Sequence, residues 1–256
     1  MAARFEGRKV VITGAAGVYG SALSRAFAEA GAVLCLSDLR GAALAELGRA
    51  LALPPARLIT HATDLVDDRS VADLIATVTD AWGAPDIVVS NAGIYPFGAL
   101  LEIDAAFWDR VMAVNLRAPF LLLQGFAQAM LARRVEGCFV VVSSGAAELL
   151  RTNGVPYCVS KRGLEWLAQG FALDLAPHNI RVNLVRPGIA GGSALTVFPP
   201  GYVETMRTAN PMARAGDPAE LAEAVMYLAS DAARSITGAC LAVDAGGSIP
   251  RRQIVG

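Results

Sequence analysis

The chain has 256 residues, 54% hydrophobic and 18% charged, with a formal net charge of −1. That balance excludes a disordered segment and offers no basic surface for nucleic acid or an anionic membrane. Mean hydropathy is +0.46, yet the longest apolar stretch, residues 120–132, is interrupted by Gln124, Gly125 and Gln128 and falls short of a membrane-spanning helix. The opening residues lack the apolar core of a secretory signal. A soluble, cytoplasmic protein is expected.

Short apolar runs alternate with longer amphipathic ones along the whole chain. The runs predict strands over 9–13, 32–37, 58–61, 87–90, 138–143, 181–185 and 240–243. Helices are predicted over 19–30, 42–52, 68–81, 105–132, 156–176 and 218–229. Gly31 and Gly83 sit at helix C-terminal stops, and Asp217-Pro218 is an N-cap followed by a first-turn proline. Repeated strand–helix–strand units with apolar strands imply a parallel sheet covered on both faces. We read one doubly wound α/β domain over 1–256. Residues 187–216 form its longest stretch without a firm element, expected as a substrate loop or lid with a short helix over 203–208.

The first predicted strand runs into Thr13-Gly14-Ala15-Ala16-Gly17-Val18-Tyr19-Gly20 and then a helix. Glycines allow a sharp turn and close approach of a pyrophosphate, and the helix N-terminus supplies free N–H groups for the anion. Asp38 ends the second strand, where a carboxylate accepts bonds from ribose hydroxyls and repels a 2′-phosphate. NAD is therefore favoured over NADP. Arg40 nearby keeps NADP open, although a solvated surface charge is its plainer reading.

Tyr157 and Lys161 stand four residues apart, on one face of a helix. The chain holds 22 basic residues, yet its only lysines are Lys9 and Lys161. A compact ammonium beside a phenol favours the phenolate, lowering its pKa and making a proton donor and acceptor. The pair alone is only suggestive. Cys35, Cys138, Cys158 and Cys240 show no metal-ligand spacing, and His61 and His178 have no neighbouring ligands. Neither a metal site nor a catalytic thiol is expected.

Together these residues resemble the classical short-chain dehydrogenase/reductase family over essentially the whole chain. The resemblance implies a seven-stranded parallel sheet in the order 3-2-1-4-5-6-7, with the site at the C-terminal strand ends. It implies a catalytic set of Asn115, Ser144, Tyr157 and Lys161. Tyr157 would exchange the substrate proton, Ser144 would hold the substrate oxygen, and Lys161 would lower the tyrosine pKa and hold the nicotinamide ribose. The cofactor would be bound by Gly14, Gly17, Val18, Tyr19, Gly20 and Asp38, by Asp64 and Leu65, and by Asn91-Ala92-Gly93. Tyr157, Lys161 and the turn Pro187-Gly188-Ile189 would complete that set. The closing residues 243–248 resemble the family's last strand and turn. Pro119 has no N–H for the carbonyl of Asn115, so a kink is expected; in the family this carbonyl holds a water linking the lysine to solvent.

Two positions depart from the classical pattern. Val18 stands where a glycine is usual, so the loop is expected to follow the glycine spacing of extended family members. Gly192 replaces a threonine that commonly meets the nicotinamide carboxamide, with Ser193 next. The substrate surroundings offer Tyr95, Phe97, Leu149, Val155, Phe198, Tyr202 and Met206, with Glu148, Arg151 and Asn153 as polar exceptions. This favours a secondary alcohol or ketone of moderate size. Arg151 is read as a surface charge, with a carboxylate partner as the alternative. The leading function is an NAD-dependent alcohol dehydrogenase or ketone reductase. The alternatives are an NADPH-dependent 3-oxoacyl-type carbonyl reductase, an epimerase suggested by the glycine spacing alone, and a dinucleotide-binding regulator without turnover. The resemblance also implies a homotetramer joined through the helices 105–132 and 156–176 and C-terminal elements.

Overall fold

Runs rich in valine, isoleucine and leucine form strands because branched side chains pack well on a pleated surface buried on both sides. A computed structural model describes residues 5–190, 198 and 200–249. Among them are seven strands: β1 (Lys9–Thr13), β2 (Val33–Asp38), β3 (Leu58–Ala62), β4 (Ile87–Ser90), β5 (Cys138–Val142), β6 (Arg181–Pro187) and β7 (Cys240–Val243). They pair in parallel in the order β3-β2-β1-β4-β5-β6-β7, as the resemblance implied.

Alternate strand residues divide the core into two layers. Val10, Ile12, Leu34, Leu36, Val140 and Val142 face one side, under α1 (Val18–Glu29), α2 (Gly41–Leu51) and α8 (Pro218–Ala229). Val11, Cys35, Phe139 and Val141 face the other, under α3 (Asp68–Trp82), α5 (Ala118–Arg133) and α6 (Val155–Leu175). This period of two is the strand pleat expressed as packing. Lys9 proves architectural: its Nζ donates to the carbonyl of Trp82 at the end of α3, and its N–H to Asp86.

The single helix expected over 105–132 is in fact two, α4 (Ala105–Met112) and α5, joined by a π-helical turn at Ala113–Arg117. Ala118 N–H bonds the carbonyl of Ala113, five residues back rather than four. One turn before a proline that cannot donate, the ladder widens instead of merely kinking. Within 187–216, α7 (Tyr202–Ala209) matches the expected short helix, whereas Gly192 and Ser193 lie outside the described residues.

Candidate active site

The strand order reverses direction between β1 and β4, and ligands of open α/β sheets bind beyond the strand ends at such a point. A cavity of about 1230 Å³ opens there. Gly14, Gly17, Val18, Tyr19, Gly20, Asp38, Asp64, Leu65, Asn91, Ala92 and Gly93 line it. So do Ser144, Tyr157, Lys161, Pro187, Gly188 and Ile189.

The turn after β1 is built by two close approaches. Gly14 has φ of +63°, and a Cβ there would lie 2.8 Å from the Cα of Ala92. At Gly20 a Cβ would fall 2.0 Å from the carbonyl oxygen of Gly14, so the helix can seat against the turn only with glycine. Val18 is simply the first residue of α1 and is not left-handed; its N-cap is Gly17, in extended conformation. No side chain caps this helix start, which leaves N–H groups for an anion.

Neighbouring strands fix the same cleft. The Asn91 side-chain amide donates to the carbonyls of Thr13 and Gly14, at 2.9 and 3.1 Å, tying the end of β4 to the turn. Asp38, buried at the end of β2, accepts from Ala16 N–H on one oxygen and from the Arg40 N–H and Nε on the other. Arg40 is therefore not the free surface charge that its sequence position suggests. Asp64 Oδ1 accepts from Val66 N–H and keeps the turn after β3 in place. The glycine turn, uncapped helix start and buried ribose-side carboxylate fit a dinucleotide on one continuous wall.

Beyond the β5 end, Ser144 caps a short 3-10 turn, and α6 presents Tyr157 and Lys161 to the same cavity. Lys161 is buried; its Nζ donates to the carbonyl of Val142 at 2.9 Å and stands 5.8 Å from the Tyr157 ring centre. Burial pulls the ammonium down to about 8, partly opposed by Glu165. The Tyr157 hydroxyl is pushed up by burial, against the pull of a Ser144 hydrogen bond and the Arg151 charge. This is opposite to the shift expected from the lysine alone, because burial dominates and Nζ is bonded to Val142. Asn115 does not line the cavity. Fully buried in the π turn, it accepts from Ile94 N–H and donates to the Ile94 carbonyl and Ser160 Oγ, bracing the segment after β4 against α6.

Three connections escaped the sequence reading. Tyr19 Oη donates to the Gly188 carbonyl at 2.5 Å, linking the phosphate turn to the turn after β6. Glu165, four residues after Lys161, is buried and accepts from Ser143 Oγ at 2.7 Å and from Arg186 through both oxygens at 2.6 Å. One carboxylate thus holds the neighbours of Ser144, Lys161 and Pro187. Arg151, finally, turns inward to donate to Tyr202 Oη at 2.7 Å. Tyr95, Phe97, Phe198 and Tyr202 form one cluster, with ring centres 4.7 to 6.5 Å apart, and of these Tyr95 and Phe198 line the cavity. Of the expected substrate surroundings, Phe97, Glu148, Leu149, Asn153, Val155, Tyr202 and Met206 stay outside the cavity wall. Leu149 is instead on the outer side, its carbonyl facing Cys158 Sγ.

The family model described as "Enoyl-(Acyl carrier protein) reductase" matches residues 14–248. The chain belongs to the short-chain dehydrogenase/reductase family. Members of this family bind an NAD(P) dinucleotide and act as oxidoreductases. The chain is 36% identical over 247 residues to cis-4-hydroxycyclohexanecarboxylate dehydrogenase of Sinomonas cyclohexanicum, covering 96% of this chain and 98% of that one. It is 31% identical to the 3-oxoacyl-[acyl-carrier-protein] reductase of Thermotoga maritima, covering 95% and 98%. Among solved structures, the 3-ketoacyl-(acyl-carrier-protein) reductase of Brucella melitensis, complexed with NADH, superposes with a TM-score of 0.85 at 29% identity, covering 95% of this chain and 99% of that one. No helix among the described residues is long and apolar enough to cross a membrane.

Proposed function

We propose that this short-chain dehydrogenase/reductase interconverts a secondary alcohol and a ketone, with NAD as the preferred dinucleotide and Tyr157 as general acid and base. The observation that carries the reading is a phenol held with Ser144 and Lys161 on the wall of the dinucleotide-sized cavity. When bound, the nicotinamide supplies or accepts the hydride. The chain's own residues handle the proton. With its hydroxyl pushed up, Tyr157 is protonated at neutral pH and ready to donate to a ketone oxygen. Ser144 supplies a second donor to stabilise charge on that oxygen. Lys161 provides the positive charge that favours phenolate in the reverse direction once Nζ leaves Val142, and Asn115 offers its carbonyl to a relay water.

Asp38 supports NAD. Its carboxylate would meet a 2′-phosphate with like charge, and it neutralises Arg40. The similarity to the Thermotoga 3-oxoacyl reductase favours a second reading, NADPH-dependent reduction of a 3-oxoacyl group. Turnover of secondary alcohols and ketones with each dinucleotide separates the two. Tyr157→Phe is expected to lower kcat by about 10²- to 10⁴-fold while NADH binding persists. Retained turnover in that variant would overturn the proton assignment, and preference for NADP would overturn the cofactor assignment. A homotetramer joined through α5 and α6 is part of the same proposal.

A further inference from the structure

Arg151 is drawn inward without a counter-ion. Among the described residues no carboxylate pairs with it; its bonds run from Nη1 to Tyr202 Oη at 2.7 Å and to Met206 Sδ at 3.9 Å. Nε and Nη2 make no protein hydrogen bond there, and Arg151 lines the cavity that also holds Tyr157 and Ser144. The groups facing it are phenols. Tyr95 Oη lies 3.3 Å from Tyr202 Oη, and the Tyr95 ring rests on the Tyr157 ring with centres 4.3 Å apart. Tyr202 and Tyr95 thus link the guanidinium to the reacting phenol. A half-buried cation without an acid is costly unless a partner arrives, and the cavity is the open side. The two unused nitrogens form a planar fork matched to a carboxylate.

We propose that Arg151, steadied by Tyr202, is the recognition site for a substrate carboxylate, so that the substrate is a hydroxy or oxo acid whose carboxylate is remote from the reacting carbon. The inference rests on the alcohol–ketone reading and narrows it. A distant carboxylate suits the geometry because Tyr95 and Phe198, packed against Phe97 and Tyr202, line the cavity shared by Arg151 and Tyr157 and offer an apolar wall to the body between the two polar ends.

Binding is the direct test, because it does not depend on turnover. Ligand-observed NMR titration of the NADH-loaded protein with cyclohexanecarboxylate and with its neutral isostere cyclohexanecarboxamide is expected to show the acid binding about 10- to 100-fold more tightly. In Arg151→Met that ratio should collapse to near one, and Arg151→Lys should restore part of it. NADH affinity and the thermal melt report whether the variants are folded. Equal affinity for acid and amide in the wild type, or a preference that survives in Arg151→Met, would overturn the proposal. Turnover of neutral cyclohexanol alongside 4-hydroxycyclohexanecarboxylic acid isolates the broader reading. Oxidation of the neutral alcohol without acid preference removes the Arg151 assignment alone, whereas oxidation of neither, with carboxylate binding intact, removes the alcohol–ketone assignment.

Discussion

Lys161 is a charge kept where water is excluded. Its ordinary value of 10.5 falls to about 8 on burial, so the folded chain holds fewer protons than the unfolded chain between those values. Its stability penalty is full below pH 8 and fades as pH rises towards 10.5, on the order of 3 kcal/mol. Lys161→Met, similar in volume and without charge, is expected to melt at a higher temperature at pH 7 and to lose turnover. The gap in stability between variant and wild type should shrink as pH is raised from 8 to 10.5, measured by chemical denaturation. A variant less stable than wild type at pH 7 would remove this account. In the sequence, the scarcity of lysine already marked the position. What was not legible is the direction of its Nζ, towards Val142, since that depends on a strand nineteen residues away. Arg151 was misjudged for a related reason: no local pattern distinguishes an arginine in a loop that folds over a cavity from one that faces solvent.

At the scale of the elements, strands and caps were legible because each depends on local chemistry. Asp217 caps α8 by accepting from Ala219 N–H, and Gly83 ends α3 with φ of +76°. The π turn was not, because apolar periodicity reports which face is buried and not whether a bond spans four residues or five. Glu165 was hidden similarly; a glutamate on a helix reads as solvated until Ser143, just past β5, and Arg186 of β6 arrive beside it. The glycine turn was readable as a motif, and the structure identifies which glycine bears the packing. Gly20→Ala must push α1 away from the Gly14 carbonyl. A loss of about 1–3 kcal/mol in stability is expected from such overpacking, together with at least about a tenfold weaker NADH complex if the displaced N–H groups hold the anion. Thermal melts and fluorescence titration measure the two effects; unchanged NADH affinity would place the phosphates elsewhere.

For the whole molecule, the sheet order was accessible through the resemblance, while assembly is written only on the surface. Val159, Trp166 and Leu173 are spaced by seven along α6 and are 41%, 67% and 78% exposed. Phe120 of α5, 37% exposed, lies beside Phe171 of α6. An apolar stripe of this kind on the outer face fits the proposed joining of copies through these helices. Trp166→Arg is expected to yield a smaller species by light scattering after size exclusion, with the monomer fold retained by circular dichroism; an unchanged mass would move the interface elsewhere. The bond from Tyr19 to Gly188 has a different reach. It joins the wall expected to hold the pyrophosphate to the wall expected to hold the nicotinamide, so release of a dinucleotide clasped by both is expected to require that bridge to yield. Departure of the spent cofactor is then expected to be the slow event of each cycle. Tyr19→Phe should show faster NADH release in stopped flow, with the burst that precedes steady state diminished, so that a hydroxyl remote from the transferred proton sets the tempo of the enzyme.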